Sequence, residues 1–599
     1  MTEPTNSTHV DFERVFDIVS YQEIKFPQKK ALNDFVKGKW RNFSISEIKQ
    51  KIDSVACWFI ENGFIKGDTI AIVPQNGNPM WMILDFACQQ VGIITVPIHA
   101  TSPRYEVEFI VKETEAKLCV TAESGLYYKL KNILDVDPSI KLFHLEQGME
   151  GYFSPLSLKS ASSSNLEKLV EHKKAVAPSD LVVIMYTSGT SGVPKGVMLT
   201  HQNIVSNIKS VLAVLPLKPS DRVLSFLPYS HVLERTTSYA YLAIGAELYF
   251  NHDVNSLGYD FKSVKPYFCT AVPRTLEKMY DLLHEQRLER NKLVNLLIKW
   301  SMDLAEKFKD TRKQTVFYGF KLFWARLLVL NAWHKKLGGK IKYIGVGAAA
   351  LRPEIGRSFS AAGVHTLVGY GLTEASPFVT VNRPGMNKHG TVGVPIPGVE
   401  VKIDSSDGVE EGEILIKGPN VMPGYFKRTE LTKEVFAKGG WFRTGDIGKL
   451  TDKHYLVITD RKKDIFKTSS GKYIAPQPLE AHLVGSRFII QSMIVGFNRP
   501  YVTALLVPNF ALLYIWCQEQ GIHWTSPQFM VHNIKVVERI QLELNELNEA
   551  LEGHKKIRKF VLCQEEWTSE SNYLTVSLKL IRDRLEEKYK KEIEEMYKS

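Results

Sequence analysis

The 599-residue chain has only six cysteines, Cys57, Cys88, Cys119, Cys269, Cys517 and Cys563, and they form no CxxC pair and no Cys/His cluster at zinc spacing. A structural zinc site is thereby excluded, and a reducing cytosol is the expected setting. Long apolar runs are also lacking. The uncharged stretch from Phe86 to Pro103 contains two Gln and two Pro and is too broken for a spanning helix. The first residues, MTEPTNSTHVDFERVFD, carry early acids and no apolar core, so no secretory signal is expected there. Low-complexity composition is absent too: with 44% apolar and 24% charged residues the chain reads as an ordinary folded protein.

What is present is size and a surplus of base. At roughly 150 residues per unit the length corresponds to about four structural units, so two to four domains can form cores without crosslinks. Lys and Arg number 76 against 65 Asp and Glu, a net +11 scattered in short groups. That balance favours anionic ligands without choosing among nucleic acid, phosphorylated cofactors and acidic membrane surfaces. No nucleic-acid recognition motif accompanies it, so no nucleic-acid partner is expected.

From about residue 40 to 125, helical and strand patterns alternate. SISEIKQKIDSVACWFIENG has helical spacing and a Gly stop, DTIAIVP reads as a buried strand, and MWMILDFACQQVG, ITVPI, YEVEFIVKETEA and KLCVTAE continue the series. Such repetition predicts an α/β fold with mostly parallel sheets. Between about 281 and 342 the texture changes to a helix-rich insertion with basic and aromatic residues, including VFYGFKLFWARLLVLNAW. It reads as packed helices covering the sheet or as a membrane-surface patch. After Gly390, GVEVKI, GEILIKG and HYLVITD read as a small β-rich lobe, and an α+β segment ends in one charged helix, LIRDRLEEKYKKEIEEMY, whose charges look solvated.

The strongest local signal is Tyr186-Thr-Ser-Gly-Thr-Ser-Gly-Val-Pro-Lys-Gly196, which follows the apolar run LVVIMY and precedes GVMLT and a helix starting near His201. Small residues at Gly189 and Gly192 let backbone N–H groups curl around an anion. Thr187, Ser188, Thr190 and Ser191 add hydroxyl donors, and Lys195 adds charge. The segment is a candidate phosphate cradle. It lacks Walker A spacing, so a kinase-like or GTPase-like loop loses its support.

Four further motifs follow in order: Gly369-Tyr-Gly-Leu-Thr-Glu-Ala-Ser-Pro377, Gly440-Trp-Phe-Arg-Thr-Gly-Asp446, Asp460-Arg-Lys-Lys-Asp-Ile-Phe-Lys467 and Leu574-Thr-Val-Ser-Leu-Lys579. With the cradle, they make the chain resemble the adenylate-forming superfamily of acyl-CoA synthetases, luciferases and adenylation domains, from about residue 15 to 585. Ser225-Phe-Leu-Pro-Tyr-Ser-His-Val-Leu-Glu-Arg235, SGKYIAPQPLE and the helical insertion resemble the long-chain fatty-acid branch most closely.

The resemblance implies a fold and a set of roles. The fold would be α/β: a large N-terminal adenylation domain, residues 1–458, of two α/β subdomains plus the β-rich lobe, then a small mobile α+β domain, residues 459–599. Tyr370 would offer a flat face to the base, Thr373 a hydroxyl to a phosphate and Glu374 a hard oxygen ligand to Mg²⁺. Thr187 would join that acid at the metal-bound phosphate. Gly347, in Gly345-Val-Gly-Ala-Ala-Ala-Leu351, would permit close approach of the adenine, and Gly369 and Gly371 in the next motif would belong to the nucleotide site. Asp446 would accept from the ribose hydroxyls. Arg461 would lie near the nucleotide and Lys463 at the hinge between domains, with Lys467 and Tyr473 near the nucleotide or the thiol substrate. Lys579 would meet the α-phosphate, and His231 would line the entrance between nucleotide and acyl pocket. Arg235 departs from the pattern, because some long-chain relatives carry a tryptophan gate there.

The function thus implied is ATP- and Mg²⁺-dependent conversion of a long-chain fatty acid to an acyl-adenylate, followed by transfer to CoA, with peripheral membrane contact admitted. The nearest rival is an adenylate-forming ligase for another carboxylic acid or for a carrier-protein acceptor. A noncatalytic nucleotide-binding scaffold is opposed by the intact Glu374, Asp446 and Lys579.

Overall fold

The computed structural model describes residues 12–598 apart from 75–76, 123, 135–139, 146–151, 156–157, 159–160, 188–193, 252, 286–291, 310–314, 406–408, 453, 569–570, 572 and 576–578. The chain divides into two compact units, Met1–Val401 with Ile416–Phe442 and Thr451–Leu456, and Lys402–Leu415 with Arg443–Leu450 and Val457–Ser599.

Two sheets organise the first unit. In the seven-stranded sheet, Gly424–Tyr425, Lys195–Thr200 and Leu181–Thr187 are followed by Ile94–Pro97, Thr69–Val73, Leu118–Thr121 and Lys141–His144. All pairings from Leu181–Thr187 onward are parallel. Every residue of Thr69–Val73 is buried, as expected for a parallel strand covered on both faces. The helix Ile45–Glu61 starts at a capping box in which Ser44 and Glu47 exchange hydrogen bonds, and it buries Ile48, Ile52, Val55 and Phe59 at helical spacing. It packs on the helix Pro79–Val91, which stops at Gly92 in the left-handed region.

The second sheet has nine strands, with Arg222–Ser225, Glu247–Phe250, Phe268–Ala271, Tyr343–Val346 and the start of His365–Gly371 forming a parallel centre. At one edge His365–Gly371 doubles back antiparallel to Phe378–Val381. The helices Lys292–Ala305, Val316–Ala325 and Asn331–Lys336, the last two joined by a π-turn at Arg326–Leu330, bury Met302, Leu322, Ala325, Leu330 and Trp333 in one core with Ile344 and Phe359 of this sheet's layer. The described part of the insertion at 281–342 is therefore largely helical and packs on the sheet.

All twelve residues of the helix Val232–Ala243 are buried, Arg235 among them. Its guanidinium forms an ion pair with Asp85 of Pro79–Val91, its Nε donates to the Tyr239 hydroxyl at 2.9 Å, and Tyr229 donates to Asp85 Oδ2 at 3.1 Å. Burial alone would lower the guanidinium pKa; the facing Asp85 outweighs it and holds Arg235 charged.

In the second unit, Ile489–Val495 runs antiparallel to Val502–Pro508, which is parallel to Ile557–Leu562. Alternate residues serve different cores. Ile494, Val502, Ala504 and Leu506 meet the helices Pro476–Leu483 and Ile534–Glu549, whereas Met493, Val495, Leu505 and Val507 meet Leu585, Tyr589, Ile593 and Met596. The terminal segment, read from sequence as one helix, is broken into Arg582–Lys588 and Lys590–Tyr597, because Tyr589 between them leaves helical geometry and is buried. Both pieces pack by one apolar face, and charges on the other form pairs such as Arg499–Glu594. The class is α/β, and all six cysteines are free and buried.

Removing Arg235 strands Asp85 in the core. Arg235→Ala is expected to lower unfolding free energy by about 3–5 kcal/mol, and an Asp85→Leu/Arg235→Met double variant to recover most of it, read by chemical denaturation.

Candidate active site

The strand pair before and after the candidate cradle sets the first cluster. Thr187 ends Leu181–Thr187 directly opposite Lys195, the first residue of the antiparallel Lys195–Thr200. Ser188, Gly189, Thr190, Ser191 and Gly192 lie outside the described residues. Lys195 Nζ sits 5.4 Å from the centroid of the Tyr425 ring. Tyr425 belongs to Gly424–Tyr425, where it pairs with Val197. Its hydroxyl donates to Glu374 Oε1 at 2.8 Å. Burial, and then the Glu374 charge, push the phenol far above its ordinary pKa, so it remains a donor. Thr187, Lys195 and Glu374 are thus linked through Tyr425, a residue that the motifs did not single out. Its only sequence signal is the Pro-Gly-Tyr run at 423–425, which carries no charge.

Glu374 owes its place to a tight reversal. Gly371 ends His365–Gly371, and a Cβ there would lie 1.9 Å from the Pro377 carbonyl oxygen, so only glycine fits. A Cβ on Gly369 would stand 3.1 Å from the Thr380 carbonyl oxygen. Half-buried Tyr370 lies between them, opposite Thr380. Thr373 and Glu374 follow in the 3-10 turn Thr373–Ala375. The turn is held from outside by amides that sequence reasoning missed: Asn420 Nδ2 donates to the Ala375 and Phe378 carbonyls at 2.9 and 3.0 Å, and Asn207 Nδ2 to Phe378 at 2.8 Å. Their partners are 42 to 171 residues away, too far for any local pattern to show.

His231 is the N-cap of Val232–Ala243, its Nδ1 accepting from the Leu233 N–H at 3.2 Å. Its ring centroid lies 6.4 Å from that of His99, which hydrogen-bonds Ser230 Oγ at 2.8 Å. Burial, with His231 adding to it, pushes His99 down to about 3, so His99 is neutral at ordinary pH. Gly347 faces the same helix start, since a Cβ there would meet Leu233 Cδ2 at 3.2 Å. The next residue, Ala348, has φ +72°, an uncommon value for a residue with a side chain and one found where function stores strain.

The remaining candidates belong to the second unit. Asp446, in Trp441–Thr451, is buried; its N–H donates to Thr444 Oγ1 at 3.1 Å and its Oδ1 lies 3.3 Å from Arg461 Nε. Lys463 is exposed in the turn that the Asp464 N–H closes on the Arg461 carbonyl at 3.0 Å. Exposed Lys467 and Tyr473 pair across a two-stranded ladder, Lys467 Nζ 5.3 Å from the Tyr473 centroid. Lys579 is exposed on a loop closed by the Leu574–Leu580 bridge, its N–H donating to Thr575 Oγ1 at 3.0 Å.

Asp460, 1% exposed, accepts from the Arg461 N–H at 2.6 Å. Burial above all, joined by Asp464 and Glu480, pushes its carboxyl up to about 7 against the pull of the Arg461 N–H and Arg582. A raised acid pKa means that the folded state binds the proton more tightly, so stability is lost as pH rises from the unfolded value of about 4 through about 7. Asp460→Asn removes that loss. Its stability relative to the parent is expected to rise by up to about 2 kcal/mol between about pH 5 and about pH 8, measured by denaturant titration at each pH.

Residues 20–426 match the family described as AMP-binding enzyme, and residues 463–599 match the AMP-binding enzyme C-terminal domain. Long-chain-fatty-acid–CoA ligase 1 of Homo sapiens is 30% identical across 93% of this chain and 82% of its own length. Long-chain-fatty-acid–CoA ligase FadD15 of Mycobacterium tuberculosis is 28% identical across 99% and 98%. Among solved structures, the adenylation domain of a carboxylate reductase from Mycobacterium chelonae has a TM-score of 0.74 at 21% identity, covering 98% of this chain and 92% of that one. o-Succinylbenzoate coenzyme A synthetase from Bacillus subtilis, in complex with ATP and magnesium ion, has a TM-score of 0.66 at 19% identity, covering 95% and 98%. These two share the fold. With a family model matched over more than half its length, the chain belongs to the AMP-binding enzyme family.

Proposed function

We propose that the chain is an AMP-forming acid–thiol ligase that joins a long-chain fatty acid to CoA. The observation that supports this reading is the linked set Thr187, Lys195, Tyr425 and Glu374: Thr187 and Lys195 pair where the two strands flank the candidate cradle in sequence, and Tyr425 connects Lys195 to the Glu374 carboxylate. The long-chain acid and the CoA acceptor are supported by the curated relatives, which are named for that reaction.

Two half-reactions follow. A fatty carboxylate attacks the α-phosphorus of ATP and pyrophosphate leaves; the CoA thiol then attacks the acyl carbonyl of the mixed anhydride and AMP leaves. The first step sets anion against anion, so cations and N–H groups are needed where charge builds. Lys195 supplies fixed charge beside the cradle, and Lys579 supplies it from an exposed loop. Glu374 and Thr187 suit Mg²⁺, which takes few protein ligands and relies on substrate phosphates for the rest. The fit rests on Glu374 being half-buried and held by one oxygen through Tyr425, a hard donor already oriented. Bound there, the ion would offset phosphate charge. Tyr370, with Gly347, Gly369 and Gly371, receives the adenine, Thr373 a phosphate, and Asp446, oriented by Arg461, the ribose hydroxyls. Lys467 and Tyr473 stand near the nucleotide or thiol, His231 lines the passage between nucleotide and acyl pocket, and Lys463 is the pivot used between the steps. Contact with a membrane surface belongs to the same reading, because the acid partitions into lipid.

The reading is tested by acid-dependent exchange between pyrophosphate and ATP with CoA omitted, then by a panel of acids with CoA present. Exchange without thioester from any long-chain acid moves the assignment to another acid or acceptor, and no exchange ends it. Lys579→Ala is expected to lower adenylation by about 100-fold or more while sparing thioester formation from supplied acyl-adenylate; equal losses in both remove its role. Tyr425→Phe frees the Glu374 carboxylate and should raise the Mg²⁺ concentration for half-maximal adenylation about 10-fold, with partial recovery at saturating Mg²⁺.

A further inference from the structure

We propose that the outward face of the helices between 292 and 336 docks on the surface of an anionic phospholipid bilayer. The inference rests on the long-chain-acid reading for its purpose, but the face itself stands on its own residues.

The run Val316–Lys336 is helical throughout, and its rotation is fixed from inside. Leu322, Ala325, Leu330 and Trp333 are sunk in the core, Tyr318 donates its hydroxyl to the Leu304 carbonyl at 2.8 Å, and Arg326 Nε donates to the Ala361 carbonyl at 2.6 Å. A helix so fixed should show polar residues on its other side. It shows the reverse: Phe317, Phe320, Phe323 and Leu327 are 69%, 62%, 60% and 55% exposed, with Trp324 and Leu328 beside them. The helix Lys292–Ala305 packs against this run and adds Leu293, Leu296 and Trp300, spaced at i, i+3 and i+7 and all exposed. Two neighbouring helices thus join their apolar faces into one patch, the kind that marks a surface covered in use.

The charge on the patch selects what covers it. From Val316 to Leu337 the sequence has no Asp or Glu and four cations, of which Arg326 is turned inward to the Ala361 carbonyl, leaving Lys321, Lys335 and Lys336; Lys292–Ala305 adds Lys292 and Lys299 against Asp303. Lys321 belongs to the aromatic face, its Nζ 4.3 Å from the Phe317 centroid. A second copy of the chain on a two-fold axis would set this basic surface against itself. An anionic leaflet offers both complements, hydrocarbon for the aromatic side chains and headgroup charge for the lysines. Docking here would bring the ligase to the phase that holds its water-insoluble acid.

The test is flotation of the full chain with phosphatidylcholine vesicles, with and without about one-third phosphatidylglycerol. The parent should bind the anionic vesicles and release as salt rises. Phe317→Ser/Phe320→Ser/Phe323→Ser should lower the partition coefficient at least about 10-fold. Lys335→Glu/Lys336→Glu should lower it about 5-fold per charge at low salt and far less at high salt. Because all these side chains lie at the surface, both variants should keep the parental melting temperature and the parental rate with decanoate supplied in solution. No binding by the parent, or equal binding by the triple serine variant, overturns the proposal. A dimer in light scattering that the serine variant dissociates also overturns it, since a second copy then closes the face. Vesicle binding by a chain that ligates no acid to CoA sustains the face and overturns the functional reading instead.

Discussion

A parallel strand buried on both faces can offer chemistry only at its ends, and the arrangement of the first unit follows from that constraint. Its central strands are sealed by helices, and the candidate residues collect where each strand runs out. Thr187 closes Leu181–Thr187, Gly347 follows Tyr343–Val346, Tyr370 and Gly371 finish His365–Gly371, and the loop carrying His231 follows Arg222–Ser225. Each lies at the carboxyl end of its strand. The close backbone approaches at Gly371 and Gly369 are consequences of the same crowding, because a strand that must turn back over its neighbour leaves no room for a Cβ.

Polar groups inside such a unit must be partnered, and two solutions are visible. Arg235 and Asp85 neutralise each other in full burial and are surrounded by hydroxyls of Tyr229, Tyr239 and Thr95. That pairing serves the core, and it gives the departure at Arg235 a structural account independent of any gate. Glu374 is treated differently. It is half-buried, shares one oxygen with a neutral phenol rather than a cation, and so keeps its negative charge available. One carboxylate is neutralised inside the core, and the other accepts from a neutral hydroxyl and has no cation paired with it among the described ion pairs.

Local periodicity made much of this legible. The capping box at Ser44 and Glu47, the Gly92 stop and the apolar runs at Thr69–Val73 and Leu181–Thr187 all follow rules that act within one or two turns of chain. The motif residues were legible because charged or glycine-rich chemistry is dense in sequence. What escaped was set by distant partners: Tyr425 meets Glu374 across 51 positions, and Asp85 meets Arg235 across 150. The break at Tyr589 escaped for a related reason, since its burial belongs to the sheet residues Met493, Leu505 and Val507. The insertion at 281–342 read either as a cover for the sheet or as a membrane-surface patch, because a periodicity that records only apolar residues could not say which aromatic side chains turn inward and which outward.

The two units also differ in how firmly they hold their candidate residues, and the difference suits a reaction in two steps. Glu374 is fixed by the Tyr425 hydroxyl, by the Met422 N–H on its carbonyl and by the Asn420 and Asn207 amides around its turn. Groups that bind phosphate and metal in the ground state gain from such preorganisation, because little is left to order when charge develops. Lys467 and Tyr473 share a short ladder that is tied further by the Asn498 N–H on the Lys467 carbonyl at 2.9 Å, whereas Lys463 and Lys579 stand on exposed segments closed locally, by the Asp464 N–H on the Arg461 carbonyl and by the Thr575 N–H on the Lys579 carbonyl. Local opening there disturbs little of the core, so these residues can change their surroundings at small expense in stability. The roles proposed for Lys579 and Lys463, a lysine needed only while pyrophosphate departs and a pivot needed only between the steps, suit that kind of segment.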